Sequence, residues 1–368
     1  MTMLSIDIPK LPKAIRDSIM ELSKDITFEK FPSKGANGYV FLGKNNVSGQ
    51  PVAIKYYYWG GDKKYHAEPK QLAEINSKYV IKILHAGTIA DGYAIFMTPF
   101  FSLGDMDDLL SRGLPGDIRA IQLVSNALEG LSHLHVHEYI HRDLKPQNIL
   151  IGDSGEAVIG DFGSVKKLGP GGSGIPGSGH SLLYTPPESF DGGLYTKSGD
   201  IYQVGILLYQ LLGGFLPYDG LKWLNKKELA EHDRIEDSVD RSIYVDSVLK
   251  SRIKQSAIVN LQTLPSWVCV PLRRIINAAC NLDASRRFGS ASDFLSKLHS
   301  IKSHVLDWQV KDGMPTLHSK TSFRLVPDDE SQQYTVEKKV SAGWRHANAF
   351  GKKYLKEQVE AIIKSARS

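Results

Sequence analysis

Two short runs of this chain carry residues that can do chemistry together. In "HRDLKPQN" (His141 to Asn148) an Asp, a Lys and an Asn stand just before the apolar Ile149, Leu150 and Ile151, and "DFG" (Asp161 to Gly163) comes soon after. A simple turn would use Gly and Ser, so this crowding of hydrogen-bonding groups marks a site held by a strand. Moving a phosphoryl group needs little covalent help but several charges in fixed places: a cation on the phosphates, oxygen ligands for a divalent ion and a base for the incoming hydroxyl. Asp143 suits the base and Lys145 the γ-phosphate, while Asn148 and Asp161 supply the hard oxygens that magnesium prefers. Upstream, "SKGANGYV" (Ser33 to Val40) offers Gly35 and Gly38, whose amides can approach phosphates with no Cβ in the way. "VAIK" then brings Lys55, and Glu68 opens a helix that can aim a carboxylate at its ammonium. Taken singly, the glycines fit a plain hairpin turn, Lys55 a solvated residue and Glu68 a first-turn acid favoured by the helix dipole. Their order along one chain is what points to phosphoryl transfer.

With those motifs in view, residues from about 27 to 300 resemble the eukaryotic-type protein kinases. The resemblance implies an α+β, two-lobed fold, ATP and Mg²⁺ as cofactors and a protein substrate. It implies that Lys55 contacts the α/β-phosphates and pairs with Glu68, that Asp143 is the catalytic base with Lys145 beside it, and that Asn148 and Asp161 bind Mg²⁺. Nucleotide contacts are implied for Gly35, Gly38, Val40 and Ala53, for Thr98 beside the adenine, for Phe100 in a hinge over 99–101, and for Asp105 near the ribose. Leu72, Ile83, His141 and Phe162 are implied to stack as an apolar column, Glu188 to pair with Arg287, and Asp200 to brace the loop. Lys145 followed by Pro146 matches the serine/threonine class, and Ser181 takes the place of a hydroxyl that bonds the base and that Lys. Arg142 is the mark of a kinase whose loop is ordered by a phosphate, with Ser173 and Ser178 as candidate autophosphorylation sites.

The expected activity is transfer of the ATP γ-phosphate to protein Ser/Thr hydroxyls. Two alternatives come from other classes. A pseudokinase serving as a scaffold would lack at least one of Lys55, Asp143, Asn148 and Asp161; a small-molecule kinase of the aminoglycoside or choline type would lack the Lys145–Pro146 pair and the Glu188–Arg287 ion pair. There are departures from the family pattern: Ser33 replaces the usual first loop glycine, Pro186 an Ala, and Tyr202 a Trp. Pro69 requires the Glu68 helix to start near that residue, with Glu74 as the fallback partner for Lys55.

The elements that must hold these residues are legible as a change of period. Short β-rich runs at 39–43, 51–59 and 93–97 are punctuated by Gly and Asn. One helix interrupts them, with Leu72 and Ile75 on one face. From Asp117 onward Ile121, Val124, Leu128, Leu131 and Leu134 recur at helical spacing, and further helices are expected over 200–213 and 271–281. Six glycines between Gly169 and Gly179 predict a mobile segment. The division expected is an N-terminal extension (1–26), a kinase-like domain (27–300, with lobes at 27–101 and 102–300) and a basic C-terminal extension (304–368). That extension reads as a hairpin over 322–326 and 333–340, then a helix from Lys352 with Leu355, Val359, Ile362 and Ile363 in a stripe, anchored by Trp344 and Phe350.

The composition, 42% hydrophobic and 23% charged over 368 residues, is that of a soluble globular chain and argues against disordered and fibrous classes. Asp7, Pro9, Lys10 and Pro12 interrupt the apolar residues of the N-terminus, so no export signal is expected. The longest apolar stretch, Val204 to Leu216, is too short and interrupted to span a bilayer, and a cytoplasmic location is expected. Cys269 and Cys280 lie near no His pair, which signals neither a disulfide framework nor a zinc site. Residues 337–367 hold eight basic against three acidic side chains, a surplus equal to the whole chain's net charge of +5. This balance suits an acidic partner or nucleic acid, or else a helix packed on the rest of the chain with a solvated Lys face.

Overall fold

The computed structural model describes residues 11–30, 38–62, 66–176, 182–190, 192–328 and 330–367. In the N-terminal lobe an antiparallel sheet joins β1 (Ile26–Lys30), β2 (Tyr39–Asn45), β3 (Pro51–Tyr58), β4 (His85–Thr88) and β5 (Tyr93–Pro99), in the order β1-β2-β3-β5-β4. Helix α1 (Lys13–Leu22) precedes the sheet, and α2 (Ala67–Glu74) links β3 to β4. Strand alternation sorts β3 into two faces. Val52, Ile54 and Tyr56 are buried with Phe41, Ile95 and Met97, and Ile15 and Ile19, one turn apart on α1, join the same cluster. The stretch read from sequence as an N-terminal extension therefore packs into this lobe's core, where the Ser18 and Tyr56 hydroxyls meet at 3.2 Å.

The larger lobe begins with α3 (Met106–Ser111) and α4 (Asp117–Val136). Short strands come next as pairs: β6 (Tyr139–Ile140) with β9 (Lys166–Lys167), β7 (Ile149–Ile151) with β8 (Ala157–Ile159), and β10 (Ile175–Pro176) with β11 (Leu194–Tyr195). Helices α5 (Lys197–Leu211), α6 (Lys226–His232), α7 (Ser238–Lys254), α8 (Val270–Ala279) and α9 (Ala291–Lys302) complete it. Helix α5 is buried from Gly199 to Leu211, which explains why its sequence is apolar all round and not striped. It starts before residue 200 because the Thr196 hydroxyl caps it, accepting from the Ser198 amide.

The glycine-rich stretch departs from expectation within its described part. Ile175 and Pro176 pair with Tyr195 and Leu194, and Gly174 permits that approach, since a Cβ there would lie 2.7 Å from Leu194 Cβ. Glycine here serves close contact between two backbones, not only freedom.

The C-terminal region is more than a hairpin and a helix. Strands β12 (Asp307–Lys311), β13 (Met314–His318), β14 (Phe323–Pro327), β15 (Tyr334–Val340) and β16 (Gly343–His346) form one antiparallel meander, with α10 (Leu355–Arg367) after it. Trp308 of β12 is buried and stacks on Trp267 of the large lobe, ring centroids 5.8 Å apart. Val359 and Ile362 of α10 are buried, and Phe350 lies edge-on to Phe323 at 5.6 Å. Trp344, expected as an anchor, instead stays half-buried with Arg324 at 4.8 Å and Lys339 at 5.9 Å from its ring. Among the described residues no helix is long and apolar enough to cross a membrane.

Candidate active site

The upper half of the site is built on β3. Ala53 and Lys55, on the face away from α1, open on a cleft of about 370 Å³ whose wall includes Gly38, Val40, Thr98 and Asp161. Lys55 Nζ donates to Glu68 Oε2 at 2.7 Å, and the Phe96 ring lies 5.4 Å from the ammonium. Glu68 is in position because α2 opens one residue before it, so Pro69 falls in the first turn, where no amide donor is lost. Glu74, the fallback partner, is engaged elsewhere and accepts from the Tyr139 hydroxyl at 2.6 Å. Burial pushes the Glu68 carboxyl up; the charge and hydrogen bond of Lys55 oppose this, and the Asp161 carboxylate adds to it.

Gly38 has φ 145, and a Cβ there would collide with the Tyr56 carbonyl oxygen, so the β2–β3 hairpin itself requires this glycine. Gly35 lies outside the described residues. Phe100 and Asp105 are not part of the cleft wall. Phe100 donates its amide to the Pro51 carbonyl at 3.0 Å. Asp105 caps α3, accepting from the Asp108 amide at 2.9 Å while the Asp108 carboxylate accepts from the Asp105 amide.

The lower half is the loop after β6. Asp143 is 4% exposed. Its Oδ2 accepts from Lys145 Nζ at 2.9 Å and from Asn148 Nδ2 at 3.1 Å, and the same Nδ2 donates to the Asp143 carbonyl at 2.7 Å. The other carboxylate oxygen, Oδ1, is buried with no hydrogen-bond partner among the described residues. Both Asn148 bonds are donated by nitrogen, which leaves its amide oxygen to meet a cation. Asp161 holds a left-handed backbone, φ 50, and its Oδ1 accepts from the Gly163 amide at 3.1 Å. Asp161 borders the cleft, whereas Phe162 is buried, edge-on to His141 with centroids 5.7 Å apart. Leu72 is buried in the same core as Phe162, and Ile83 packs against that core partly buried.

Asp200 of α5 lies beneath this loop, fully buried. Its carboxylate accepts from the His141 and Arg142 amides, His135 Nε2 and the Tyr195 hydroxyl, each at 2.9 Å. Burial pushes its carboxyl up, yet the His135 and Arg142 donors outweigh that and hold it below the usual carboxylate range. Arg142 reaches the glycine-rich loop through carbonyls, donating from Nε to Ser164 O at 2.8 Å and from Nη1 to Pro176 O at 2.9 Å. Ser173 is exposed on that loop; Ser178 and Ser181 lie outside the described residues. Glu188 and Arg287 form a two-pronged pair, both contacts 2.7 Å, and the Tyr202 ring lies 4.9 Å from the guanidinium carbon. The Tyr that stands where the family has Trp thus keeps an aromatic face beside this cation.

Sequence reasoning missed His135, Tyr195, Gln71 and Gln203 as supports. Gln71 Nε2 donates to the Val165 carbonyl at 3.2 Å, tying α2 to the turn after Asp161. The spacing of Gln203 from Asp200, one turn along α5, was an available signal; nothing local singles out His135. Chemically, the residues offer a buried carboxylate with one acceptor free among the described residues, an ammonium beside it, a second, ion-paired ammonium on the cleft wall, and two hard oxygen donors. Asp161 lines that wall, while Asp143, Lys145 and Asn148 do not. Asn148 and Asp161 fit a magnesium ion that takes its remaining ligands from phosphates and water.

Residues 32–299 match the family described as the protein kinase domain. The chain is 29% identical to the serine/threonine-protein kinase PrkC of Bacillus subtilis over 196 residues, which is 50% of this chain and 30% of that protein. It is 31% identical to the serine/threonine-protein kinase pkn2 of Myxococcus xanthus over 199 residues, 50% of this chain and 24% of the relative. Similarity to the 3-phosphoinositide-dependent protein kinase 1 of Arabidopsis thaliana runs longer, 24% over 344 residues, 87% of this chain and 62% of the other. The matched region is thus about a quarter to a third of the two bacterial relatives.

Proposed function

The chain belongs to the protein kinase domain family, and from that premise we propose that it transfers the γ-phosphoryl group of ATP to serine or threonine hydroxyls of a protein. The observation that carries this reading is the Lys55–Glu68 ion pair at 2.7 Å in a cleft shared with Asp161. Lys55 would hold the α/β-phosphates while Glu68 keeps its ammonium in place, and Asn148 and Asp161 would hold Mg²⁺. When bound, that ion offsets the charge gathered on the phosphates. The substrate hydroxyl would meet Asp143 Oδ1, the buried acceptor with no partner among the described residues, and give up its proton there as its oxygen bonds to the γ-phosphorus and the bond to the ADP oxygen breaks. Lys145, already on Oδ2 of the same carboxylate, leaves Oδ1 free for that task and brings positive charge to the transferring group.

Labelled ATP offered with generic protein substrates and, separately, with small alcohols tests the reading. Label should enter protein and not the alcohols. Asp143→Asn should lower kcat by about 10²–10⁴ and Lys55→Met by about 10²–10³, with both proteins folded. A fully active Asp143→Asn protein would sink the proposal.

Two finer points belong to the same proposal. Autophosphorylation at Ser173 or Ser178 would give Arg142 a phosphate partner. For the C-terminal region we propose an acidic partner, supported by the β15–β16 hairpin, where Lys338 and Lys339 are exposed and Lys338 stands directly opposite the exposed Arg345. Like charges opposed across strands are unfavourable unless something offsets them. Binding of polyglutamate that weakens with salt, and is lost in a Lys338→Glu, Arg345→Glu double variant, is the expected result; no binding at low salt refutes it.

A further inference from the structure

We propose that Gln203 is a positioning residue for phosphoryl transfer: one side-chain amide sets the backbone on both sides of Asp143 and ties it to the turn at Tyr184. The inference rests on the kinase reading. Gln203 and Asp200 lie three residues apart on α5 and therefore on one helix face. Asp200 takes the amides of His141 and Arg142. Gln203 holds the next stretch of backbone: its Oε1 accepts from the Leu144 amide at 2.8 Å, and its Nε2 donates to the Arg142 carbonyl at 3.2 Å. Arg142 has φ 68 although it is not glycine, a conformation that lasts only where the surroundings determine it. Its amide is held by Asp200 and its carbonyl by Gln203, so two side chains of one helix hold this strained residue immediately before Asp143.

The second Nε2 bond leaves the loop. It goes to the Tyr184 carbonyl at 3.2 Å, and the Tyr184 hydroxyl donates to Gln210 Oε1 at 2.9 Å, on the same helix. Tyr184 is 3% exposed and Gln203 2%. The turn over 182–184 is thereby tied to the backbone on either side of Asp143, and a polypeptide presenting a hydroxyl to Asp143 would meet that turn. The site asks one side chain for one acceptor and two donors. A primary amide supplies that set, whereas Glu is acceptor-only and Met has no donor.

The test compares Gln203→Met and Gln203→Glu with the parent and with Ile206→Val, a fully buried change on the same helix that reports general loss of stability. Each protein is assayed for peptide phosphorylation, for hydrolysis of ATP to water, and for nucleotide affinity by fluorescence titration. Both Gln203 variants should lose about 10- to 100-fold in kcat toward peptide, keep nucleotide affinity within about twofold, and lose less in hydrolysis, because water need not pass the Tyr184 turn. Ile206→Val should leave the ratio of the two rates unchanged. The assignment is overturned if the Gln203 variants lower both rates by the same factor as Ile206→Val, or if the loss lies in KM for ATP. Gln203→Glu decides the matter if the Met variant fails to fold, since it keeps the shape and one acceptor; unimpaired peptide kcat in it overturns the assignment. A parent that phosphorylates no protein overturns the kinase reading itself.

Discussion

Arg142 is already engaged with the glycine-rich loop in its unmodified state. Its guanidinium bonds the Ser164 and Pro176 carbonyls, and β10–β11 pairing begins at Ile175. The loop is therefore partly ordered before any phosphate is added. A phosphoserine in this loop would compete with a carbonyl for the same cation, and the difference between a charged and a neutral acceptor is about 1 kcal/mol. Peptide mass spectrometry after incubation with ATP should find phosphate at Ser173 or Ser178, and replacing both by Ala should cost only about fivefold in rate. An unmodified, fully active protein would remove phosphorylation from the scheme. At the same scale Asp143 is divided by atom: among the described residues Oδ2 is satisfied by two donors and Oδ1 by none, and that asymmetry is why the proposed mechanism brings the incoming hydroxyl to Oδ1.

Among elements, the seam between α4 and β12 carries the clearest pH dependence. Asp117 sits in the first turn of α4, where the helix dipole would favour its charge, but it is buried, and the Asp307 carboxylate of β12 is near. Burial first, and Asp307 second, push its carboxyl up to about 8. The folded state then holds this proton more firmly than the unfolded chain, whose carboxyl has an ordinary value near 4. The contribution to stability is complete below about pH 4 and is lost as pH rises toward 8, with a slope of up to about 1.4 kcal/mol per pH unit. Asp117→Asn should flatten the stability profile across that window and leave the protein more stable than its parent at pH 8, measured by urea unfolding at several pH values. Parallel profiles for the two proteins would show that Asp117 is ionised in the fold.

For the molecule as a whole, the C-terminal region bears on how many units there are to unfold. Trp308 is 1% exposed and stacks on Trp267, and the buried cluster of the large lobe continues through Leu317, Leu325 and Val336 to Ile362 of α10. A continuous core predicts that Trp308→Ala costs about 3–5 kcal/mol and lowers one shared transition, seen by calorimetry. Two separate transitions, with only the smaller one shifted, would make the region an independent unit. The same packing bears on truncation at Ser303, which would expose Trp267 along with the face of α4 that meets β12. At the opposite end, Ile15 and Ile19 tie α1 into the small lobe's core.

What the amino-acid order determined by itself was the candidate set of site residues and the local elements. Phosphoryl transfer accepts few residue types, so Lys55, Glu68, Asp143, Asn148 and Asp161 stood out, and Pro69 located the start of α2 to within a residue because proline is tolerated only in the first turn. The alternation in β3 and the spacing in α4 are properties of single segments, readable without knowing what they pack against. Tertiary structure decided the rest. Gln203 meets Leu144 across 59 positions and Asp307 meets the start of α4 across 189, and no local period encodes such distances. Whether Trp344 or Trp308 would be the buried anchor depended on strand register and on which face the large lobe covered. A tryptophan's type fixes how much surface it can bury, but only the packing of distant segments decides whether anything is there to bury it.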